Sequence, residues 1–351
     1  MIFNKSIVKW YWANKRDLPW RDTQNPYKIW LSEIILQQTR VDQGMAYYHK
    51  FVQAYPTVSD LAAAPEDEVL KKWQGLGYYS RARNLHTTAK LISNDLNGEF
   101  PNKYEDIVKL KGVGPYTAAA IASFAYGENT PVLDGNVMRV LSRFFGMELP
   151  IDSKEGMRQL KIMAQENIDA QDPATYNQAI MEFGALQCTP KSPKCEVCPL
   201  KENCFAWKHQ LVSSLPYKEK KTKVEAVNLD YFVFEKNGSL YFKQRNADGI
   251  WKGLYDFPSV EIQNDSKTIG FPNAVFDAFS GKKLPVLLET SENYTHLLSH
   301  RKITARFFHF SMEHDANFPY EGGRFYMKNE WMDLGIPRLV ERYLQDKGWY
   351  E

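Results

Sequence analysis

Four cysteines lie close together near the middle of the chain, in the spacing Cys-x6-Cys-x2-Cys-x5-Cys. They are the only cysteines in the sequence, too few for a disulfide framework in a chain of this length. Their clustering predicts a shared metal or metal cluster bound by Cys188, Cys195, Cys198 and Cys204. Structural zinc more often uses two close cysteine pairs. One pair flanked by two single cysteines therefore favours a 4Fe-4S cluster, with zinc and four unrelated buried cysteines as alternatives.

Two carboxylates occupy surroundings that should move their pKa values apart. Glu33 lies in the apolar helical run WLSEIIL, where burial should raise its pKa and favour the protonated form near neutral pH. Asp134 lies in VLDGNVMRV, at the expected start of a helix, where backbone N–H groups should keep it ionised. Such a pair could break a glycosidic bond through an oxocarbenium-like transition state. The simpler alternatives are a core ion pair of Glu33 with Arg21 and a purely structural N-cap at Asp134.

A glycine-containing turn, LKGVGPY at residues 110–116, precedes another helical segment. Its two glycines permit a tight turn whose backbone N–H groups could bind phosphate oxygens without a charged side chain. The candidate phosphate-binding residues are Gly112, Val113 and Gly114. An ordinary turn between two helices is the alternative.

Length and composition limit the possible classes of protein. The 351 residues suggest two or three domains, and 44% hydrophobic with 25% charged residues is ordinary for a globular chain. The formal charge of +2 excludes a histone-like coating protein but leaves local DNA-binding surfaces possible. No apolar run approaches the roughly 20 residues that cross a bilayer, so we expect no membrane association and a cytoplasmic protein, nucleoid-associated if bacterial.

The pattern of apolar residues changes near residue 225. Up to about residue 210, apolar residues recur at helical spacing, whereas NLDYFVFE at 228–235, GSLYFKQ at 238–244 and RFFHFSM at 306–312 are typical of strands. Trp331–Tyr343 is expected to form a closing helix. We therefore predict a mostly α domain over residues 1–211 with the cysteine loop at 188–204. A linker over 212–226 and a smaller α+β domain over 227–351 should follow.

Several motifs together resemble a known family. The hairpin LKGVGPYT, the following LDGNVMRVLSR and the cysteine loop resemble the helix-hairpin-helix, endonuclease III-like DNA glycosylases. Within that superfamily, LPWR at 18–21, WLSEIILQQTRV at 30–41 and GLGYYSRARNLH at 75–86 are similar to MutY-type adenine DNA glycosylases. The resemblance covers almost all of residues 1–210. It continues more weakly into a C-terminal region that resembles the family's MutT-like (Nudix-like) domain.

The resemblance implies hydrolysis of the N-glycosidic bond of adenine opposite 8-oxoguanine or guanine in duplex DNA, which leaves an abasic site for base excision repair. Bifunctional relatives carry a lysine where this chain has Tyr116, and a tyrosine cannot form a Schiff base, so a monofunctional enzyme is expected. We also expect the enzyme to be a monomer. The alternative on the same fold is a bifunctional endonuclease III-like lesion glycosylase and lyase. A non-catalytic DNA-binding scaffold and a nucleotide pyrophosphatase are further alternatives. The two carboxylates disfavour the scaffold, and the absence of a REx2EE-type run after residue 225 disfavours the pyrophosphatase.

The resemblance also implies roles for individual residues. The catalytic group is Glu33, Asp134, Tyr116 and Asn136, and the adenine pocket is Trp20, Arg21, Leu36, Val41 and Glu182. The residues that recognise the duplex and the opposite base are Gln38, Thr39, Leu76, Tyr78, Ser299 and His300. Lysines of the cysteine loop should contact the DNA backbone: Lys191, Lys194 and Lys201. The family usually has Phe where this chain has Leu298, so a stacking role is not expected there.

Overall fold

A computed structural model describes residues 2–219, 224–246, 249–262, 275, 278–279, 284–298, 300–312 and 318–349. The chain divides into two compact units. The first is Met1–Ala63 with Asn84–Lys221, and the second is Ala64–Arg83 with Thr222–Glu351. Within the described ranges no helix is long and apolar enough to cross a membrane.

Helices dominate the chain up to residue 208, which confirms the predicted helical region. The helices are α1 (Ile2–Asn14), α2 (Pro26–Leu36), α3 (Val41–Ala54), α4 (Val58–Ala63), α5 (Glu66–Trp73), α6 (Ser80–Asp95), α7 (Tyr104–Ile107), α8 (Pro115–Tyr126), α9 (Gly135–Phe145), α10 (Lys154–Asn167), α11 (Pro173–Leu186) and α12 (Phe205–Lys208). Two short 3-10 turns, Cys195–Val197 and Lys201–Asn203, precede α12. The segment Ala64–Arg83, which includes α5, belongs to the second unit.

Helix α8 lies at the centre of the first unit. Every residue from Thr117 to Ser123 is buried, and most of them are alanine, so neighbouring helices can approach its backbone closely. Its start is favoured by Pro115, whose fixed φ suits the first turn of a helix. The core beside it contains apolar side chains of α1, α9 and α11, among them Ile7, Leu141 and Phe183. This packing holds α2, α8, α9 and α11 as one framework.

The second unit contains a mixed sheet. Its described strands are β1 (Glu225–Lys236), β2 (Ser239–Gln244), β3 (Tyr255–Asp256), β4 (Ser259–Ile262), β5 (Val286–Thr290), β6 (Tyr294–Leu297), β7 (Arg301–Ser311) and β8 (Gly323–Tyr326). The main path through the sheet runs β3-β2-β1-β7-β5. Strands β4, β6 and β8 pair with β1, β7 and β2 respectively. Strands and helices in one unit confirm the predicted α+β class.

Strands β1 and β7 form the middle of this sheet. They pair in parallel from Glu225 opposite Arg301 to Glu235 opposite Ser311, and most of β1 is buried. Phe232, Phe234 and Phe310 fill one core beside the sheet. The predicted closing helix is divided into α13 (Lys328–Trp331) and α14 (Arg338–Asp346). The prediction of a single helix over Trp331–Tyr343 was wrong. Pro337 is the N-cap of α14, and a proline disfavours helical backbone in the residue before it.

Candidate active site and cysteine loop

A cavity of about 310 Å³ in the first unit brings most of the predicted site residues together. It is lined by Trp20, Arg21, Glu33, Leu36, Thr39, Val41, Tyr116, Asp134, Asn136 and Glu182 from the predicted set, and by Arg16, Leu18, Ile29, Ser32, Arg40, Phe124, Gln178, Met181 and Ala185. The four predicted catalytic residues and the five predicted pocket residues therefore share one cavity. Its volume is near the lower end for small-molecule sites, and its lining combines apolar walls with many polar and charged side chains.

Glu33 projects from α2 and is buried, with 7% of its surface exposed. Burial is the main cause that raises the pKa of the Glu33 carboxyl to about 7, and the nearby Asp134 carboxylate acts in the same direction. A hydrogen bond from Tyr116 and the positive charge of Arg21 act in the opposite direction but do not outweigh burial. Since a carboxyl with this pKa is partly protonated at neutral pH, Glu33 can both donate and accept a proton.

Asp134 is the N-cap of α9, as its sequence position predicts. Its Oδ1 accepts from the Val137 backbone N–H at 2.7 Å, and its Oδ2 accepts from the Asn136 side-chain amide at 2.6 Å. Burial raises the pKa of Asp134 above its usual value, although these hydrogen bonds and the Arg139 charge lower it. Only Glu33 has a shift large enough to reach about 7. Both pKa values are raised, and the larger upward shift at Glu33 makes Glu33 the better candidate for the acid.

Glu182 is the acidic group at the other side of the cavity. Its carboxylate accepts from Nε of Arg16 at 2.8 Å and from Nη2 of Arg16 at 2.6 Å, and Arg21 donates to it at 2.7 Å. Burial alone would raise its pKa, but the hydrogen bonds from Arg16 and Arg21 outweigh burial and lower the pKa of Glu182 to about 2. Glu182 therefore stays ionised over the whole working range of pH. The ion-pair partner of Arg21 is Glu182, and its effect on Glu33 is a weaker Coulombic one.

Among the cavity residues that sequence reasoning missed, Arg16 bonds to Glu182. Besides its two side-chain bonds, its backbone N–H donates to Glu182 at 2.9 Å. The available signal was indirect: a glutamate in the apolar helix α11 needs a cation to remain charged when buried. Arg16 precedes the LPWR motif and Arg21 ends it. The sequence alone does not show which of the two arginines pairs with Glu182.

Two predicted duplex-recognition residues have unusual backbone conformations. Gln38, just after α2, has φ 55°, and Tyr78, just before α6, has φ 48°. Residues other than glycine rarely adopt the left-handed region, and such strain is concentrated at functional positions. Gln38 is exposed and lies in the first unit, whereas Leu76 is buried and Tyr78 half-buried in the second. Thr39 lines the cavity of the first unit.

The hairpin between α7 and α8 requires its first glycine for conformational reasons. Gly112 has φ 80°, and a Cβ there would lie 2.6 Å from the Cβ of Asn84. Gly114, the N-cap of α8, has ordinary φ, and no protein atom lies within 4 Å of the place a Cβ would occupy. The N–H of Val113 donates to the Leu110 carbonyl at 3.1 Å, whereas that of Gly114 has no acceptor among the described residues. Gly114 therefore presents an open N–H at a helix N-terminus.

The four cysteines surround a small cavity of about 30 Å³ whose other walls include Val140, Phe183 and Leu200. Burial is the main cause that raises the pKa of the Cys198 thiol to about 11, and the other three thiols act in the same direction. Four converging thiols in a half-buried apolar site need bound cations to become thiolates. The residues therefore fit a metal cluster.

Two arginines of α9 attach this loop to the helical framework. Arg143 is buried and donates to the Cys188 sulfur at 3.4 Å, to the Thr189 carbonyl at 2.7 Å and to the Leu215 carbonyl at 3.0 Å. Arg139 donates to the Cys188 carbonyl at 2.7 Å and to Oδ1 of Asn136 at 3.0 Å. Arg139 therefore connects the cysteine loop with the amide that contacts Asp134.

The loop lysines differ in their surroundings. Lys191 and Lys194 are exposed. Lys201 forms an ion pair with Glu196 at 2.7 Å, and its ammonium lies 5.0 Å from the centre of the Trp207 ring. Lys191 and Lys194 are thus better placed to meet phosphate than Lys201.

Of the opposite-base residues predicted between β6 and β7, the structure describes His300. The N–H of Leu298 donates to the Arg301 carbonyl at 2.8 Å, which closes the turn, and His300 is exposed. Ser299 lies outside the described residues. Further along the sheet, Asp256 is buried and accepts from Arg245 at 2.7 Å and from Tyr231 at 3.3 Å, as a structural pair would.

Three family models match consecutive parts of the chain. Residues 31–165 match the HhH-GPD superfamily of base excision DNA repair proteins. Residues 188–204 match the iron-sulfur binding domain of endonuclease III, and residues 230–346 match the NUDIX domain. The predicted 4Fe-4S cofactor is thereby confirmed, with the cysteine loop as its site.

Curated relatives match nearly the whole chain. The adenine DNA glycosylase of Buchnera aphidicola subsp. Schizaphis graminum is 32% identical over 98% of both chains, and that of Buchnera aphidicola subsp. Baizongia pistaciae is 36% identical over 76% of both. The human adenine DNA glycosylase is 43% identical over 58% of this chain and 39% of its own.

Solved structures share the helical fold. A thermostable thymine-DNA glycosylase is 31% identical with TM-score 0.56, over 59% of this chain and 96% of its own. A non-covalent endonuclease III–DNA complex is 22% identical with TM-score 0.52, over 60% and 95% of the two chains, which supports the fold alone. The chain therefore belongs to the adenine DNA glycosylase family and is a DNA glycosylase enzyme with an endonuclease III-like helical domain, a 4Fe-4S loop and a Nudix-like domain.

Proposed function

We propose that this enzyme excises adenine opposite 8-oxoguanine or guanine in duplex DNA and leaves an abasic site without cutting the strand. It acts as a monomer in the cytoplasm, in base excision repair. One observation carries the proposal: a carboxyl with a pKa of about 7, Glu33, shares a cavity with the N-cap carboxylate of Asp134. The names of the relatives supply adenine as the base.

Adenine leaves a sugar readily only after protonation of the ring. Glu33 can supply that proton near neutral pH because burial keeps much of it in the acid form. The side chains of Trp20, Leu36 and Val41 provide apolar walls for a flipped purine. Glu182, held ionised by two arginines, is an acceptor for the exocyclic amine of adenine.

Departure of the base leaves positive charge on the sugar. Asp134 stabilises this oxocarbenium-like centre, and its carboxylate can form a transient adduct as in a retaining glycosidase. Asn136 fixes the carboxylate through its 2.6 Å hydrogen bond. Glu33, after giving up its proton, accepts one from the attacking water. The hydroxyl of Tyr116 contacts the Met181 sulfur at 3.9 Å and hydrogen-bonds to Glu33, which orients that carboxyl.

Strand cleavage by a lyase would need an amine nucleophile at the sugar. Tyr116 stands where bifunctional relatives carry lysine, and no lysine is among the described residues that line the cavity. Hydrolysis by water is therefore favoured over Schiff-base chemistry. The alternative, a bifunctional endonuclease III-like lesion enzyme, lacks its nucleophile.

Residues in several parts of the chain are suited to contact the duplex. Gly114 and the exposed lysines Lys191 and Lys194 are suited to phosphates, and the 4Fe-4S cluster supplies the rigid fold of the lysine-bearing loop. The strained residues Gln38 and Tyr78 are suited to fill the space left by the flipped base and to contact the opposite base. Leu76, Thr39, Ser299 and His300 complete this recognition set.

A single-turnover assay tests the proposal. Duplexes would contain adenine opposite 8-oxoguanine, adenine opposite guanine, or thymine glycol opposite adenine, and each would be analysed with and without alkali. We expect both adenine substrates to be processed and strand breaks to appear only after alkali. Breaks without alkali, or processing of thymine glycol instead of adenine, would contradict it.

A further inference from the structure

The loop before α6 has a backbone that needs external support. Gly75 and Gly77 have φ of 100° and 71°, and Tyr78 between Gly77 and α6 has φ 48°. Three of four consecutive residues in this loop therefore occupy the left-handed half of φ space, which costs free energy at Tyr78 in particular. Leu76, the remaining residue, is 7% exposed. A loop of this kind keeps one conformation only if its surroundings fix it.

Arg81, in the first turn of α6, contacts Leu76, Gly77 and Tyr78 of this loop. Its Nη2 donates to the Leu76 carbonyl at 3.2 Å and to the Gly77 carbonyl at 3.1 Å. Its guanidinium lies 5.0 Å from the ring centre of Trp73 and 5.8 Å from that of Tyr78. The indole N–H of Trp73 donates to the same Gly77 carbonyl at 3.0 Å. The guanidinium thus holds the two carbonyls and lies against both rings.

The position of this arginine is unfavourable for α6 itself. A cation in the first turn of a helix opposes the positive end of the helix dipole. The residue is also 9% exposed, and burial lowers the pKa of Arg81 to about 10 while the nearby Tyr78 raises it. Helix stability does not explain a buried cation here, whereas the bonds and ring contacts with the loop do.

We propose that Arg81 is a positioning residue for opposite-base recognition, and that it holds the Leu76–Tyr78 loop in the conformation in which Tyr78 meets the base opposite the excised adenine. This inference rests on the proposed function. Arg81 acts through Tyr78 and is not expected to take part in bond breaking. Its loss should therefore change which mispair is preferred more than it changes the rate of the chemical step.

The test compares R81M and R81K with the wild type in single-turnover excision at saturating enzyme. The substrates are adenine opposite 8-oxoguanine and adenine opposite guanine. For R81M we expect the ratio of the two rates to fall about tenfold, as loss of one good polar contact would give. The ratio is the rate opposite 8-oxoguanine divided by the rate opposite guanine, so the rate on adenine opposite guanine should remain within about threefold of the wild type. R81K keeps a cation near the two carbonyls but loses the planar guanidinium that lies against the Trp73 and Tyr78 rings, so its ratio should be intermediate.

The matched control is K90M, which removes an exposed cation from the same helix and should leave the ratio unchanged. A second control combines R81M with Y78A. If Arg81 acts through Tyr78, adding R81M to Y78A should not lower the ratio further. Equal loss of both rates in R81M and R81K, or an unchanged ratio in both, would overturn the inference. A wild type with no preference between the two mispairs would instead refute the opposite-base part of the proposed function.

Discussion

The amide of Asn136 donates to Oδ2 of Asp134 at 2.6 Å, while Oδ1 of Asp134 accepts from the Val137 backbone N–H at 2.7 Å. The first turn of α9 therefore donates a hydrogen bond to each oxygen of the Asp134 carboxylate and fixes its orientation. Arg139 fixes Asn136 in turn, at 3.0 Å. An N-cap, which would be structural in most proteins, is here aimed into the cavity beside Glu33.

Asp134→Asn should abolish most of the chemistry and preserve the fold. Asparagine caps helices as well as aspartate does, so Tm should be nearly unchanged. Loss of the carboxylate removes the negative charge that faces the sugar cation, and the single-turnover rate should fall roughly 10³-fold. Affinity for an adenine-containing duplex, measured by fluorescence anisotropy, should remain close to that of the wild type. A near-normal rate would show that Asp134 is only a cap.

Glu33→Gln should stabilise the protein at alkaline pH. A carboxyl whose pKa is raised from 4.5 to about 7 favours folding in its protonated form, and that stability is complete below 4.5 and lost as pH rises through about 7. Glutamine has no charge to bury, so the variant should exceed the wild type at pH 8 by on the order of 3 kcal/mol and match it near pH 4.5. Thermal unfolding at both pH values would measure this.

The same substitution should remove activity, because glutamine cannot donate a proton. In the wild type, the excision rate should decline as pH rises above about 7, where Glu33 loses its proton. A variant that gains no stability at pH 8 would mean that the pKa of Glu33 is not raised in the folded protein and that Glu33 is already ionised at neutral pH. The acid role would then need another residue.

Arg143→Met should loosen the cysteine loop. The substitution leaves the carbonyls of Thr189 and Leu215 without their buried donor, at a cost of about 1–3 kcal/mol. We expect faster loss of the visible iron–thiolate absorption when a chelator is added. Arg158→Met is the control, since Arg158 forms an exposed ion pair with Glu155 on α10 and contributes little. Equal chelator sensitivity of the two variants would contradict the anchoring role of Arg143.

The residues with strong local signals were predictable from the sequence. The cysteine spacing, the N-cap at Asp134 and the burial of Glu33 in an apolar helix each depend on neighbours in the chain. The pairing of Glu182 with Arg16 joins residues far apart in sequence, and two arginines were equally plausible partners. The parallel pairing of β1 with β7 is also non-local, because strand patterns do not specify their partners. Left-handed Gln38 and Tyr78 could not be anticipated, since nothing in their residue types favours that backbone.

The two glycines of the hairpin allow a paired test of phosphate binding. Gly112→Ala should destabilise the fold, because an L-residue at φ 80° costs about 1–2 kcal/mol and its Cβ would lie 2.6 Å from that of Asn84. Gly114→Ala should be tolerated, because its backbone is extended and no protein atom lies within 4 Å of the new methyl group. The two variants therefore separate a folding requirement from a binding requirement.

If phosphate approaches the open N–H of Gly114, the methyl group of Gly114→Ala should block it. Duplex affinity should then fall about tenfold with Tm nearly unchanged, and the slope of log affinity against log salt should stay the same, because an uncharged N–H releases no counterion. Gly112→Ala should lower Tm, and it should reduce duplex binding only to the extent that less of the protein is folded. Titrations of a labelled duplex at several salt concentrations, with thermal melts of both variants, measure these effects. Wild-type affinity in Gly114→Ala would mean that the hairpin is an ordinary turn and that phosphate is bound elsewhere.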